Sequence, residues 1–215
     1  MNNKDISEIN RNAWNKIVNE RRVIHPSKGD KENDLLNLFV SSVTKDGKIL
    51  DLGCGTGIPI GKKLQNPGFS ITGVDVSDEM IKGFQKNLPG SFSFRMPMTE
   101  IDWIEEFDGI VSSFSLLCLP PDDFALMSKK IFNALKKGGY FLLFLNEGDS
   151  KFGGIWEVQG QKLYTTGISE KEIRDKFEKK GMSIVKLERE TIETKEYGKE
   201  NTMLFLMHKV VHKIA

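Results

Sequence analysis

The residues best suited to chemistry in this chain are Asp51-Leu-Gly-Cys-Gly-Thr-Gly57, preceded by Lys48-Ile-Leu and followed by Ile58-Pro-Ile-Gly-Lys-Lys-Leu64. The apolar lead-in reads as a buried strand. The segment after the loop reads as a helix with Pro near its first turn, where a missing N–H costs little. Between them, Gly53, Gly55 and Gly57 alternate with small residues, and glycine permits both positive φ and close approach of backbone to a ligand. A second acidic residue, Asp75, closes the strand-like run Phe69-Ser-Ile-Thr-Gly-Val and lies 22 positions beyond Gly53. That is close to the ~20 residues at which a βαβ unit brings a carboxylate to ribose hydroxyls. A dinucleotide fingerprint, G-x-G-x-x-G, would require glycine at 58 or 60, and both positions are Ile. The pattern therefore predicts a ribose-bearing ligand and gives no support for a dinucleotide.

The seven residues 51–57 match completely an acidic-x-Gly-x-Gly-x-Gly pattern, and on them the chain resembles the class I S-adenosylmethionine (SAM) dependent methyltransferases. The resemblance implies SAM as cofactor, S-adenosylhomocysteine (SAH) as product, and no metal. It implies an α/β fold, a Rossmann-like three-layer sandwich whose seven-stranded, mostly parallel sheet has an antiparallel last strand and an N-terminal helical cap. Asp51, Gly53, Gly55, Gly57 and Asp75 become cofactor-binding positions, with Val76 and Met80 lining the adenine. Pro97 stands where the family often has an acid that accepts from the adenine amino group. Proline cannot make that bond, so backbone groups around Met98 and the apolar faces of Met96 and Met98 are expected to hold the base. Ser113 lies in a stretch, 112–118, that follows the fourth strand and should face the cofactor sulfur or the substrate at the topological switch point. Cys118 occupies a position where related small-molecule enzymes often carry His, and is read as packing.

The elements that must position these residues follow from periodicity. Residues 5–22 place Ile6, Ile9, Ala13, Trp14, Ile17 and Val18 at helical spacing, and a second helix spans about 31–43. The run Asn12-Ala-Trp-Asn-Lys-Ile17 resembles the family's lead-in, so Trp14 and Arg21 join the expected cofactor contacts; Arg21 stands where the family often has an aromatic residue. Ser77 is an expected N-cap for the helix that follows Asp75. A helix is expected over 121–135, a central apolar strand up to Leu145, and a capped helix from Ser169 to Lys180. The last two strands, 182–188 (extending to about 193) and 202–208, are joined by a short turn at 196–201 and so form a hairpin. Between strand 5 and the capped helix, residues 146–168 read as a long connection. Connections are typically ~4–6 residues and longer ones tend to bind or cover ligands, so this one is expected to form part of the substrate wall. The chain is expected to be a single domain, 1–215, with 1–45 as helical cap and 146–168 as substrate-side insertion.

Function follows as transfer of the SAM methyl group to O or N of a small-molecule acceptor. A protein or RNA methyltransferase, or a non-catalytic SAM-binding protein, are the competing readings. Candidate bases are few: His25, Glu147 just past the fifth strand, and Tyr164 in the long connection. Charged residues make up 28% of the 215 and the formal net charge is +1, without basic runs. No nucleic-acid partner is expected on that balance. The two cysteines, Cys54 and Cys118, suggest neither a disulfide framework nor a metal cluster, and no apolar run reaches the ~18 residues of a membrane span. A cytoplasmic monomer or homodimer is expected.

Overall fold

The computed structural model describes residues 3–18, 30–194 and 198–210. Its frame is a seven-stranded sheet in the order β3-β2-β1-β4-β5-β9-β8. β1 (Lys48–Leu52), β2 (Ser70–Asp75), β3 (Phe92–Arg95), β4 (Phe107–Ser113) and β5 (Leu135–Asn146) run parallel. β9 (Gly198–Lys209) is antiparallel both to β5 and to β8 (Met182–Thr194). The reversal comes from the terminal hairpin, because two strands joined by a short turn cannot be parallel. β8 and β9 pair as far as Thr194 and Gly198, so β9 starts four residues before the expected Thr202.

Helices cover both faces. α3 (Ile60–Gln65), α4 (Asp78–Asn87) and α5 (Pro121–Ala134) follow β1, β2 and β4, α6 (Glu170–Phe177) precedes β8, and α2 (Asp30–Ser42) precedes β1. This explains why Phe141 to Leu145 of β5 and Met203 to Met207 of β9 are unbroken apolar runs, all at most 1% exposed, with no alternation. α2 lies closely on the sheet: Phe39 is wholly buried, and a Cβ added to Gly109 of β4 would sit 2.6 Å from its Cζ. Two caps read from sequence are present. Ser77 accepts from Met80 N–H at 3.1 Å, and Ser169 and Glu172 form a reciprocal capping box at the start of α6. Among the described residues, no helix is long and apolar enough to cross a membrane.

Residues 146–168 differ from the expected irregular connection. After a 3-10 turn at Ser150–Phe152 they form a separate antiparallel hairpin, β6 (Gly154–Val158) and β7 (Gln161–Thr165). Its turn residues Gln159 and Gly160 both have positive φ, +49° and +69°, as a type I′ hairpin turn requires. Two features conceal it in the sequence. Gln replaces the usual Asn or Asp, and neither strand alternates: Ile155 and Trp156 are both exposed, Leu163 and Tyr164 both buried. The hairpin packs on α1 (Asn3–Ile17), not on the seven-stranded sheet, through a small cluster of Ala13, Ile17 and Leu163 that is distinct from the main core.

Truncation of Phe39 removes the side chain that fills the space over Gly109. Phe39→Ala is expected to cost about 3–5 kcal/mol of unfolding free energy, measured as a lower urea midpoint with unchanged m-value.

Candidate active site

β1 and β4 are neighbours from which the chain departs in opposite directions, and open α/β sheets bind ligands at the carboxyl ends of such a pair. Their ends are clipped together by serines. Ser115 Oγ donates to Leu52 O at 2.5 Å and lies 2.7 Å from Ser112 Oγ, so the turn after β4 is held against the end of β1. The clip explains Gly53, whose φ is +68°: a Cβ there would come within 2.2 Å of Ser115 Cβ. Gly57 is required for a different neighbour, since its Cβ would lie 2.2 Å from Leu88 Cδ1.

The amides of the glycine loop point inward. Gly53 and Cys54 both donate to Val74 O (2.8 and 3.0 Å), Gly57 donates to Cys54 O (2.9 Å), and Gly55 donates to Asp75 Oδ2 (2.9 Å). Phosphate-binding loops do the opposite and turn successive N–H groups toward the anion. With these four amides engaged inside the protein, the loop suits a nucleoside that brings no phosphate to it. Asp75 Oδ1 also accepts from Ser77 N–H at 2.9 Å, so its carboxylate is fixed at the head of α4 while it lines the cleft.

The cleft encloses about 590 Å³. Gly53, Asp75, Val76, Met80, Pro97, Met98, Ser113, Phe114 and Cys118 are among its lining residues. α1 also lines it, through Ser7, Asn10, Arg11 and Trp14 among others, and is fastened to the head of α4. Arg11 donates twice to Asp78 Oδ2, at 3.0 and 2.7 Å, and Arg95 Nε lies 3.5 Å from Oδ1. The hydrogen bond from Arg11 holds the Asp78 carboxyl below its ordinary pKa. Asp78 therefore stays charged, and the fastening intact, until the pH falls through that depressed value. Asn15 Oδ1 accepts from Ser77 Oγ (2.7 Å) and from Glu79 N–H (3.2 Å).

Of the residues singled out from sequence, Trp14, Gly53, Asp75, Val76, Met80, Pro97, Met98 and Ser113 line the cleft. Asp51 is buried beneath the loop, and Gly55 and Gly57 shape the loop without reaching the cavity. Arg21 and His25 lie outside the described residues. The two remaining base candidates are not among the residues that line the cleft. Glu147 accepts from Arg189 at 3.2 Å, and Arg189 also pairs with Glu170 of α6. The Tyr164 hydroxyl packs where a Cβ on Gly153 would be 2.5 Å away, and burial pushes its phenol pKa up. Among the described residues no part of 146–168 lines the cleft, whereas α1 does. Asn15 and Ser115 fall within the runs 12–17 and 112–118 that the sequence marks, though neither is singled out there; Arg11 and Asp78 carry no sequence signal beyond the polar side of an amphipathic helix and a helix start, and Asn10 carries none.

The Ser115 contact makes a specific prediction. Gly53→Ala should destabilise by more than about 2 kcal/mol, seen as a lowered melting temperature. Ser115→Gly removes the opposing Cβ together with the clip, so the cost of Gly53→Ala should be smaller in a Ser115→Gly background than in the wild type.

Comparison with known proteins agrees with this geometry. The methyltransferase domain family matches residues 49–139. The putative methyltransferase YqeM of Bacillus subtilis is 32% identical over 108 residues, which are 47% of this chain and 43% of that protein. A carboxy-S-adenosyl-L-methionine synthase of Shewanella woodyi is 30% identical over 163 residues, covering 70% of this chain and 67% of that one. For the first of these relatives, and for a second carboxy-S-adenosyl-L-methionine synthase, the match spans about half of the relative's length. Among solved structures, a Burkholderia thailandensis 1,6-didemethyltoxoflavin-N1-methyltransferase, with that compound and SAH bound, superposes with a TM-score of 0.74 at 17% identity. The superposition covers 98% of this chain and 92% of that one. With its glycine loop, its acid at the end of β2 and its reversed last strand, the chain belongs to the class I SAM-dependent methyltransferase superfamily.

Proposed function

We propose that the protein transfers the methyl group of SAM to an oxygen or nitrogen of a small-molecule acceptor held beneath α1. The observation that carries this reading is the glycine loop whose amides turn inward beside Asp75 in a cleft that α1 also lines. The donor set fits SAM, since the ligand needs a carboxylate for its ribose and an apolar slot for its base, and brings no phosphate. Asp75 would accept from the ribose, and Val76, Met80 and Met98 would flank the adenine. Pro97 offers no side-chain acceptor, so the base would be read by backbone groups at the 3-10 turn Met98–Glu100. When bound, SAM supplies an electrophilic sulfonium methyl group. The chain's part is to exclude water and hold the nucleophile in line, and positioning of that kind can supply about 7–11 kcal/mol of rate acceleration. Glu147 and Tyr164 do not line the cleft, and an acceptor whose nucleophile is unprotonated at neutral pH, such as an aromatic amine or a readily ionised hydroxyl, would need no base from them.

A cavity of about 590 Å³ is in the range of small-molecule sites, and a formal net charge of +1 gives no electrostatic footprint for RNA. A second reading comes from the relatives named carboxy-S-adenosyl-L-methionine synthase, which would make SAM itself the molecule that is modified. Arg11 and Arg95, two cations lining the cleft, are both drawn to Asp78, away from any incoming carboxylate. That favours methyl transfer.

Incubation with methyl-labelled SAM and fractionated cell extract separates these readings. Label is expected in the low-mass fraction. Label in protein or RNA would overturn the small-molecule assignment, and a SAM-sized product heavier by a carboxyl group would establish the second reading. Asp75→Asn keeps the shape of the side chain and removes its charge. It is expected to weaken SAH binding by at least about tenfold in calorimetric titration.

A further inference from the structure

The insertion 146–168 does not line the cleft, yet one residue connects it there. Asn10 lies midway along α1 and is 4% exposed. Its Oδ1 accepts from the Tyr164 N–H at 2.8 Å, while its Nδ2 donates to Tyr164 O at 3.3 Å and to Cys118 O at 2.9 Å. The amide thus gives Tyr164 the donor and acceptor that a further strand would offer, and closes the outer edge of β7 opposite β6. The same side chain holds the turn carrying Cys118, which borders the cleft. Two further links run in parallel. Thr166 N–H donates to Leu117 O at 2.8 Å, and Trp14, which lines the cleft, packs on the cluster of Ala13, Ile17 and Leu163.

We propose that Asn10 is the positioning residue through which the β6–β7 hairpin holds α1 closed over the SAM cleft. The insertion then serves the cosubstrate site from a distance, and forms no wall of the acceptor site. The inference rests on the SAM reading above. Asn10 itself borders the cleft, yet the hydrogen bonds it makes among the described residues go to protein backbone, so the main effect of its loss is on the position of α1. The loss lowers the fraction of molecules with Ser7, Arg11 and Trp14 in place, and apparent affinity falls in proportion to that fraction. The main core, which α1 does not enter, stays folded.

The test is calorimetric titration of SAH into the wild type, Asn10→Ala and, as a control, Asn12→Ala, whose side chain is exposed on the same helix. Asn10→Ala should weaken SAH binding by about tenfold, with the main cooperative melting transition retained, and Asn12→Ala should match the wild type within twofold. Amide hydrogen exchange supplies a readout that a purely structural role would not move. In the wild type, SAH should slow exchange across residues 3–17 and, together with them, 161–165. In Asn10→Ala the ligand-induced protection of 161–165 should be lost. A wild type that does not bind SAH overturns the functional reading and this inference together. A wild type that binds, with Asn10→Ala equal to it within twofold or still protecting 161–165 on ligand binding, overturns the inference alone.

Discussion

The hydrogen bonds from Gly55 N–H and Ser77 N–H to Asp75 are the constraint on which the site depends. One carboxylate holds the glycine loop after β1 and the head of α4 after β2, so two loops that could move separately share one anchor. A buried or half-buried carboxylate that accepts two backbone N–H groups is strongly bonded and has little freedom to turn. From this anchor the rest follows in sequence. The loop amides face inward, the cleft floor is set, and Ser77 and Asp78 are presented to α1 in fixed positions, where Arg11 and Asn15 meet them.

Steric exclusion does the complementary work. Gly53 is pressed by Ser115 and Gly57 by Leu88, so the loop conformation is imposed by neighbours from β4 and α4 as much as by its own sequence. Polar satisfaction inside the loop then decides ligand chemistry. A loop of the same glycine spacing with outward amides would take a phosphate, whereas this one presents little but its surface. The distinction lies in four hydrogen bonds, two of them to the single carbonyl of Val74.

The parts that were legible in sequence are those governed by local rules. Strand, loop and helix at 48–65, Asp75 at the end of β2, the Ser77 cap, the Ser169 capping box and the reversed last strand all depend on residues near one another along the chain. The hairpin at 154–165 was not legible, because its strands do not alternate and its turn uses Gln-Gly. The roof was only half legible. The apolar side of α1 at Ile6, Ala13 and Ile17 is plain from spacing, but Asn10 sits on that same buried side, and Arg11 and Asn15 are indistinguishable in sequence from residues that face water. Glu147 and Tyr164 were attractive as bases for their position after β5. Their partners, Arg189 and the packing at Gly153, come from 11 to 42 residues away and could not be read beforehand.

The bond between Asn10 and Tyr164 spans 154 residues of chain. During synthesis α1 leaves the ribosome first and the hairpin much later, and domains generally acquire structure in that order. Contacts so remote along the chain are also the slow ones to form, since their loop must close before they repay its entropy. The glycine loop, Asp75 and the strands β1 to β4 all lie within little more than the first half of the chain. The roof cannot be completed, whatever the state of that part, until residue 164 has emerged. A nascent or truncated chain ending before the hairpin would have the loop that meets the cosubstrate and the bond from Arg11 to Asp78, but not the link from Asn10 to Tyr164 that completes the hold on α1.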